Sequence, residues 1–343
     1  MTSSTQTTSA APPLALVGCG AIADSFYLPA LARHPDVAAK MVLVDPDRAR
    51  AEAAAAKYHC GSVATDYRQV IGAVRGAIIA VPHHLHHSMS GDFLDAGVHV
   101  LCEKPIAETV AEVTDLVSRA DKQGVSLGVN NTRRLYPSAI KVKELLDAGA
   151  IGSVRSLVYL DGSEFDWPTA SGFYFNSGAA SHGILLDIGA HVVDLVCWWL
   201  KGKPAVVSSE NDSFGGTEAV ASVKFRLGGC SGEIRLSRLA KLSNTYTITG
   251  DRGVIVGGAY EGGRISLAGP SGKKTDIACH APAGRPAESS RALVENFLAC
   301  IAGNASPLIP AADVVDSIEM INDAYARATR FAMPWYAREE VNA

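Results

Sequence analysis

The chain has 343 residues, long for one domain and suited to two at roughly 100–200 residues each. Hydrophobic residues make up 48% and charged residues 19%, enough to bury a sizeable core and to exclude wholesale disorder. Its 31 basic and 35 acidic residues give a net charge of -4 with no long basic run, which excludes a protein held to nucleic acid by phosphate neutralisation.

Residues 1–13 are rich in Ser, Thr and Ala and carry no Lys or Arg. They lack the charged start and apolar run of a signal peptide and read as a flexible tail. No apolar stretch approaches the roughly 20 residues that span a bilayer, so a cytoplasmic protein with no membrane partner is expected. The seven cysteines (19, 60, 102, 197, 230, 279 and 300) are odd in number and show no CxxC spacing, which disfavours a disulfide framework or a structural zinc site.

The first half alternates strands and helices. Residues 14–17 form an apolar run that ends in Gly18-Cys19-Gly20, and residues 41–45 form a second that ends in Asp45. The helical stretch between them contains Pro29, which is expected to break it. Residues 49–58 read as a helix. Residues 77–81 form a third buried strand, stopped by Pro82, and residues 99–102 a fourth, stopped by Glu103-Lys104-Pro105. A helix over 113–120 and a strand over 125–129 follow. This alternation predicts an α/β fold with a doubly wound parallel sheet, a Rossmann domain over 14–132.

After about residue 150 the period changes. Residues 222–227 and 232–238 alternate apolar and polar, and 245–249 and 253–256 read as further strands between glycine-rich turns. Period-two alternation predicts an antiparallel sheet with one wetter face, so residues 133–343 are expected to form an α+β domain for substrate and oligomer contacts. Residues 292–301 and 311–331 read as helices.

Gly18-Cys19-Gly20-Ala21-Ile22-Ala23 fits GxGxxG/A and stands between a strand and a helix. Gly18 permits the tight turn and Gly20 the close approach of backbone N–H groups to a pyrophosphate. Ala21 and Ile22 open the helix whose N-terminus faces the phosphates. Asp45 would accept the ribose 2′-hydroxyl and repel a 2′-phosphate, which favours NAD over NADP; Arg48 close by would soften that preference. Lys104, at the carboxyl rim of the sheet, can reach a substrate hydroxyl. Asp187 and His191 are four apart on an apolar helix and share one face, with Asp194 at the next step. Ionisable groups in such a segment are either hydrogen-bonded or functional.

Together, Gly18-x-Gly20-x-x-Ala23, Glu103-Lys104-Pro105, Arg134 before Pro137, and Asp187-x-Gly189-x-His191-x-x-Asp194 resemble the glucose–fructose oxidoreductase / inositol dehydrogenase / rhizopine catabolism family over about residues 14–330. The resemblance implies a Rossmann domain followed by a domain on a large, open, mostly antiparallel sheet. It implies oxidation or reduction of sugar or cyclitol carbons with NAD or NADP. By motif, Lys104, Asp187 and His191 would be the catalytic set. Val81, Pro82 and His86 would border the nicotinamide ribose, with Glu103 beside them. Asn130-Asn131 stand where many members carry Gly or an aromatic residue. His191 would move the hydroxyl proton, Lys104 would stabilise alkoxide character, and Asp187 would orient the imidazole or contact a second hydroxyl.

The stretch 161–176 is polar, acidic and aromatic together, as sugar hydroxyls and C–H patches require. Glu164, Asp166 and Trp167 are its candidate substrate residues, alongside Arg134. The histidines at 83, 84, 86 and 87 lack a completing carboxylate or cysteine pair, so no metal is expected. Two other functions compete: a biosynthetic ketoreductase or epimerase-type enzyme for a nucleotide-linked sugar, favoured by a basic cleft from Arg133, Arg134 and Arg155, and a cofactor-binding sensor without turnover. The apolar side chains of the alternating strands predict a homodimer or homotetramer.

Overall fold

The structure, a computed structural model, describes residues 13–167, 182–213, 216–260, 263–279 and 286–332. The 1–13 tail, apart from Pro13, and residues 168–176 of the polar stretch lie outside the described residues.

Six short strands form one parallel sheet: β1 (Leu14–Val17), β2 (Val42–Val44), β3 (Ser62–Ala64), β4 (Gly76–Ile79), β5 (His99–Glu103) and β6 (Leu127–Asn130), in the order β3-β2-β1-β4-β5-β6. The central strands β1 and β4 are buried at every residue, as strands covered on both faces must be. The helices around them are α1 (Leu28–Leu31), α2 (Pro35–Ala38), α3 (Arg48–Tyr58), α4 (His86–Asp95) and α5 (Val110–Gln123). Thr109 and Glu112 close a reciprocal capping box at the start of α5. The order reverses between β1 and β4, which opens a crevice at their carboxyl ends.

Pro29 does not break the first helix. A π-helical turn, Ala23–Tyr27, runs directly into α1, and this widened turn precedes the position where proline has no N–H to give.

The second sheet has nine strands: β7 (Val154–Gly162), β8 (Ala205–Asn211), β9 (Val220–Leu227), β10 (Cys230–Ser237), β11 (Thr245–Gly250), β12 (Val254–Gly258), β13 (Arg264–Ala268), β14 (Lys274–Ala278) and β15 (Ala328–Arg330). Their order is β14-β13-β12-β11-β7-β10-β9-β8-β15, and only the β7–β10 and β8–β15 pairings are parallel. The last of these corrects the expected 311–331 helix: α9 (Val315–Ala326) stops first, and Ala328–Arg330 adds an edge strand.

α6 (Pro137–Asp147) and α7 (Ile184–Leu200) cover one face of this sheet. Val223, Phe225, Ile234 and Leu236 point into that core, while Lys224, Arg226 and Arg235 are exposed. Trp199 packs between Tyr159 and Tyr246, so it serves the core, as its place at the end of an apolar helix suggests. α8 (Pro286–Ile301) returns to the first sheet. Its Val294, Phe297 and Ile301 join the core of β1 and β2, so side-chain packing crosses the division drawn at residue 132.

Candidate active site

The turn after β1 needs its first glycine. Gly18 has φ +93, and a Cβ there would lie 2.2 Å from the Ala80 carbonyl oxygen. A Cβ on Gly20 would meet nothing within 4 Å, which leaves open space above the loop where a pyrophosphate fits. Ala21 and Ile22 follow in the helix, and Val81 lies against Gly18. Cys19 is buried, and burial pushes its thiol up to about 12, so it fills space rather than reacting.

Asp45 is nearly enclosed. It accepts the Cys19 N–H at 2.9 Å and the Asp47 N–H at 2.9 Å. The cation beside it is Arg50, at 3.3 Å, and not Arg48. Arg48 points along the exposed face of α3 and pairs with Glu52 at 3.1 Å. The residue two positions further on was missed because the turn that opens α3 decides which arginine faces back.

His86 is also placed differently from expectation. It is buried, with Nδ1 2.7 Å from the Pro105 oxygen and Nε2 2.9 Å from the Val81 oxygen. It therefore ties together the two loops that flank the crevice instead of lining it. Burial outweighs both carbonyls and brings its pKa to about 4, and a neutral ring donates to one of the two only. The neighbouring histidines go to different partners: His83 lies 3.4 Å from Glu108 and His87 2.9 Å from Asp115.

Glu103 ends β5 inside the protein. Tyr27 donates to it at 2.8 Å, Asn130 donates as well, and burial raises its carboxyl above the usual range. This buried triad joins the π-helical turn, β5 and β6, and it fixes the turn that presents Lys104. Asn130 is thus part of that support.

α7 carries the opposite wall. Glu218 is buried beneath its first turn and accepts the N–H groups of Gly183 (2.9 Å) and Leu185 (3.0 Å), with Tyr325 donating to it at 2.6 Å. A carboxylate at a helix N-terminus satisfies orphan donors and complements the dipole. A Cβ on Gly183 would lie 2.0 Å from the Glu218 backbone oxygen, so the entry to α7 requires glycine. With its start fixed, α7 turns Asp187 and His191 into one cavity.

That cavity, of about 410 Å³, lies between the two sheets. Ile22, Phe26, Glu103 and Lys104 line it from the first domain, and Arg133, Asp161, Glu164, Asp166, Trp167, Asp187, His191, Arg238 and Tyr260 from the second. Lys104 Nζ lies 2.5 Å from Asp187 Oδ1 and 3.0 Å from the Asp187 backbone oxygen. Arg238 donates to Asp187 Oδ2. Burial opposes ionisation of Asp187, but Lys104 and Arg238 outweigh it and hold the carboxyl below its ordinary value. Both of its oxygens serve cations, and among the described residues no hydrogen bond joins it to Nδ1 of His191. His191 Nδ1 is buried with no hydrogen-bond partner among the described residues. Burial, then Lys104 and Arg133, hold its pKa well below 6.5.

Arg134 is not in the cavity. It makes a buried, two-pronged pair with Asp194 of α7 at 2.8 and 2.6 Å and reaches the part-buried Asp313 backbone oxygen at 3.1 Å. Its neighbour Arg133 lines the cavity, paired with Asp161 at 2.5 Å and lying over the Tyr260 ring. The adjacent arginines sit in a short 3-10 turn, Thr132–Leu135, which sends them in different directions. Arg155 is exposed and pairs with Asp251 at 3.2 Å. Asp194→Ala leaves Arg134 buried without its main partner. It is expected to destabilise the protein by about 3 kcal/mol in urea denaturation, and an unchanged midpoint would show the pair to be dispensable.

The candidate substrate residues Glu164 and Asp166 are exposed at the mouth of the cavity. Trp167 stacks on Phe26 of the π-helical turn, with centroids 6.3 Å apart and planes within 5°. Phe26, Arg238 and Tyr260 are site residues that sequence spacing did not reveal, and of the three arginines considered for the cleft only Arg133 lines the cavity.

A parallel sheet with a glycine turn at its switch point, joined to an open sheet that closes a cavity over a lysine, is the build of a two-domain nucleotide-dependent oxidoreductase. Residues 13–131 match the model of the oxidoreductase family with an NAD-binding Rossmann fold, and residues 139–256 match the GFO/IDH/MocA C-terminal domain. The chain belongs to the GFO/IDH/MocA oxidoreductase family, and its first domain is that family's NAD-binding Rossmann domain. In sequence it is similar to a trans-1,2-dihydrobenzene-1,2-diol dehydrogenase of Oryctolagus cuniculus (31% identity, 53% of this chain and 55% of the relative). It is also similar to a D-glucoside 3-dehydrogenase of Escherichia coli strain K12 (29% identity, 59% and 57%). The matched part spans a little over half the length of these relatives. In structure it resembles levoglucosan dehydrogenase in complex with NADH and levoglucosan, with a TM-score of 0.80 at 21% identity over 92% of this chain and 96% of the other. That likeness shows a shared fold.

Proposed function

We propose that the protein transfers a hydride between NAD and a carbinol or keto carbon of a sugar or cyclitol. The observation that carries this is the convergence of Lys104, Asp187 and His191 on one cavity beside the glycine turn. The dinucleotide fits the residues present: Gly18 and Gly20 leave room for the pyrophosphate, Asp45 faces the ribose position, and Val81 and Pro82 flank the crevice. NAD, when bound, supplies the hydride acceptor or donor. His191, held neutral by burial, accepts the hydroxyl proton in oxidation and returns it in reduction. Lys104 spends two of its three donors on Asp187 and points the third at the same oxygen. Glu164, Asp166 and Trp167 bind the rest of the ring from the cavity mouth. The division of labour follows residues 14–132 for cofactor and the later chain for substrate.

Among the described residues the cavity wall carries three cations, Lys104, Arg133 and Arg238, against five carboxylates, Glu103, Asp161, Glu164, Asp166 and Asp187. It is not a basic cleft. On that charge balance an uncharged polyol suits it better than a nucleotide-linked sugar. Val207 and Val256 lie exposed on the second sheet, which keeps the proposal of a dimer or tetramer. No helix among the described residues is long and apolar enough to cross a membrane.

Reduction of NAD across a panel of free sugars, cyclitols, methyl glycosides and sugar nucleotides tests the reading. Turnover of one uncharged class supports it; turnover of sugar nucleotides alone overturns the substrate class. Asp45→Asn removes the charge that repels a 2′-phosphate while keeping an acceptor for the Cys19 N–H. It is expected to weaken NADH binding about ten-fold and to abolish discrimination against NADPH, since Arg50 then faces the phosphate. Unchanged discrimination in a fluorescence titration would place cofactor choice elsewhere.

A further inference from the structure

We propose that Arg238 is a positioning residue of the reacting centre, which sets Asp187 and, through it, the aim of Lys104. The inference rests on the roles proposed above for Lys104 and Asp187. A helix and one turn from each sheet meet on one carboxylate. Lys104 comes from the turn after β5, Asp187 from α7, and Arg238 from the end of β10. The two Asp187 oxygens are divided, Oδ1 to Lys104 and Oδ2 to Arg238, so neither cation can leave without freeing the carboxylate to rotate. Arg238 is itself a built arm. Its N–H donates to the Ala219 oxygen at 2.8 Å, its oxygen accepts the Phe165 N–H at 3.0 Å, and its guanidinium lies 5.3 Å from the Phe165 ring centroid. All three charged side chains are mostly buried, which strengthens their coupling. A planar, always-charged fork fixes a carboxylate in a way that a mobile ammonium does not. Arg238 also joins the catalytic carboxylate to the 163–167 segment, where Glu164, Asp166 and Trp167 await substrate.

The test compares wild type, Arg238→Gln, Asp187→Asn and the double variant, with Arg238→Lys as the conservative change and Arg238→Met in reserve if the glutamine variant does not fold. Arg238→Gln is expected to lower kcat about ten-fold or more with KM and NADH affinity within about three-fold, and Arg238→Lys to recover most of the loss. In the Asp187→Asn background, Arg238→Gln changes kcat by less than about two-fold, because the arginine acts through a carboxylate already gone. Melting adds a readout that needs no turnover. Asp187→Asn leaves two buried cations facing each other and lowers Tm; adding Arg238→Gln raises it again. If no panel compound is oxidised, the functional reading falls and the melting cycle still decides whether Arg238 holds Asp187. An equal loss of kcat in both backgrounds, an unchanged kcat in Arg238→Gln, or additive Tm losses would overturn the proposal.

Discussion

Lys104→Ala is expected to slow turnover by on the order of 10²–10³ while leaving NADH affinity within about two-fold. The lysine is rigidly placed. Its turn ends β5, the buried Tyr27–Glu103–Asn130 triad supports that turn, and Asp187 holds the ammonium by a side-chain and a backbone oxygen. A donor fixed in advance stabilises developing alkoxide charge without reorganising when the bond breaks. With the pyrophosphate proposed at the glycine turn and a ribose at Asp45, the loss is expected to fall on kcat. Single-turnover kinetics with dinucleotide titration separate the two. A variant with near-normal kcat would remove Lys104 from the chemistry.

His191→Ala is expected to cost on the order of 10²–10⁴ in kcat and to change the pH profile. In the folded protein burial, then Lys104 and Arg133, keep the imidazole pKa well below 6.5. The base is therefore unprotonated throughout the neutral range, and kcat/KM for oxidation stays flat as pH falls through 6.5, declining only further down. The same sign governs stability. The unfolded chain protonates this histidine near 6.5 and the native chain does not, so its contribution is intact above that value and is lost as pH falls toward the folded pKa. In His191→Ala the acid limb of the rate profile disappears with the activity. A wild-type acid limb at or above pH 6.5 would contradict the buried, neutral imidazole.

The sequence shows some parts of this molecule and hides others for physical reasons. The Rossmann half was legible because β1, β4 and β5 are continuous apolar runs, and the glycine turn has a required conformation at Gly18. β7, the middle of the second sheet, was missed. Val154–Gly162 alternates, but Asp161 faces inward to Arg133, so its polar positions hide the period. β15 was read as helix because three residues gain strand form only by pairing with β8. Within the site, Lys104, Asp187 and His191 lie in local motifs and do share the cavity. Arg134 and Arg133 could not be told apart, since one residue of displacement in a tight turn decides which reaches the cavity beside Asp161 and which is tied to Asp194 of α7. Arg50 for Arg48 is the same failure. Arg238 and Phe26 meet Asp187 and Trp167 only through tertiary contact, with no spacing to announce them.

Direct hydride transfer from a carbinol carbon under the control of His191 and Lys104 is open to isotopic labelling. With the best substrate from the panel, the hydrogen on the oxidised carbon is replaced by deuterium, and the reduced cofactor is weighed by mass spectrometry. The expected result is NADH one mass unit heavier, a primary isotope effect on turnover, and label entering reduced cofactor on the order of 10²–10³ more slowly in Lys104→Ala. Unlabelled NADH, with deuterium released to water, would contradict it.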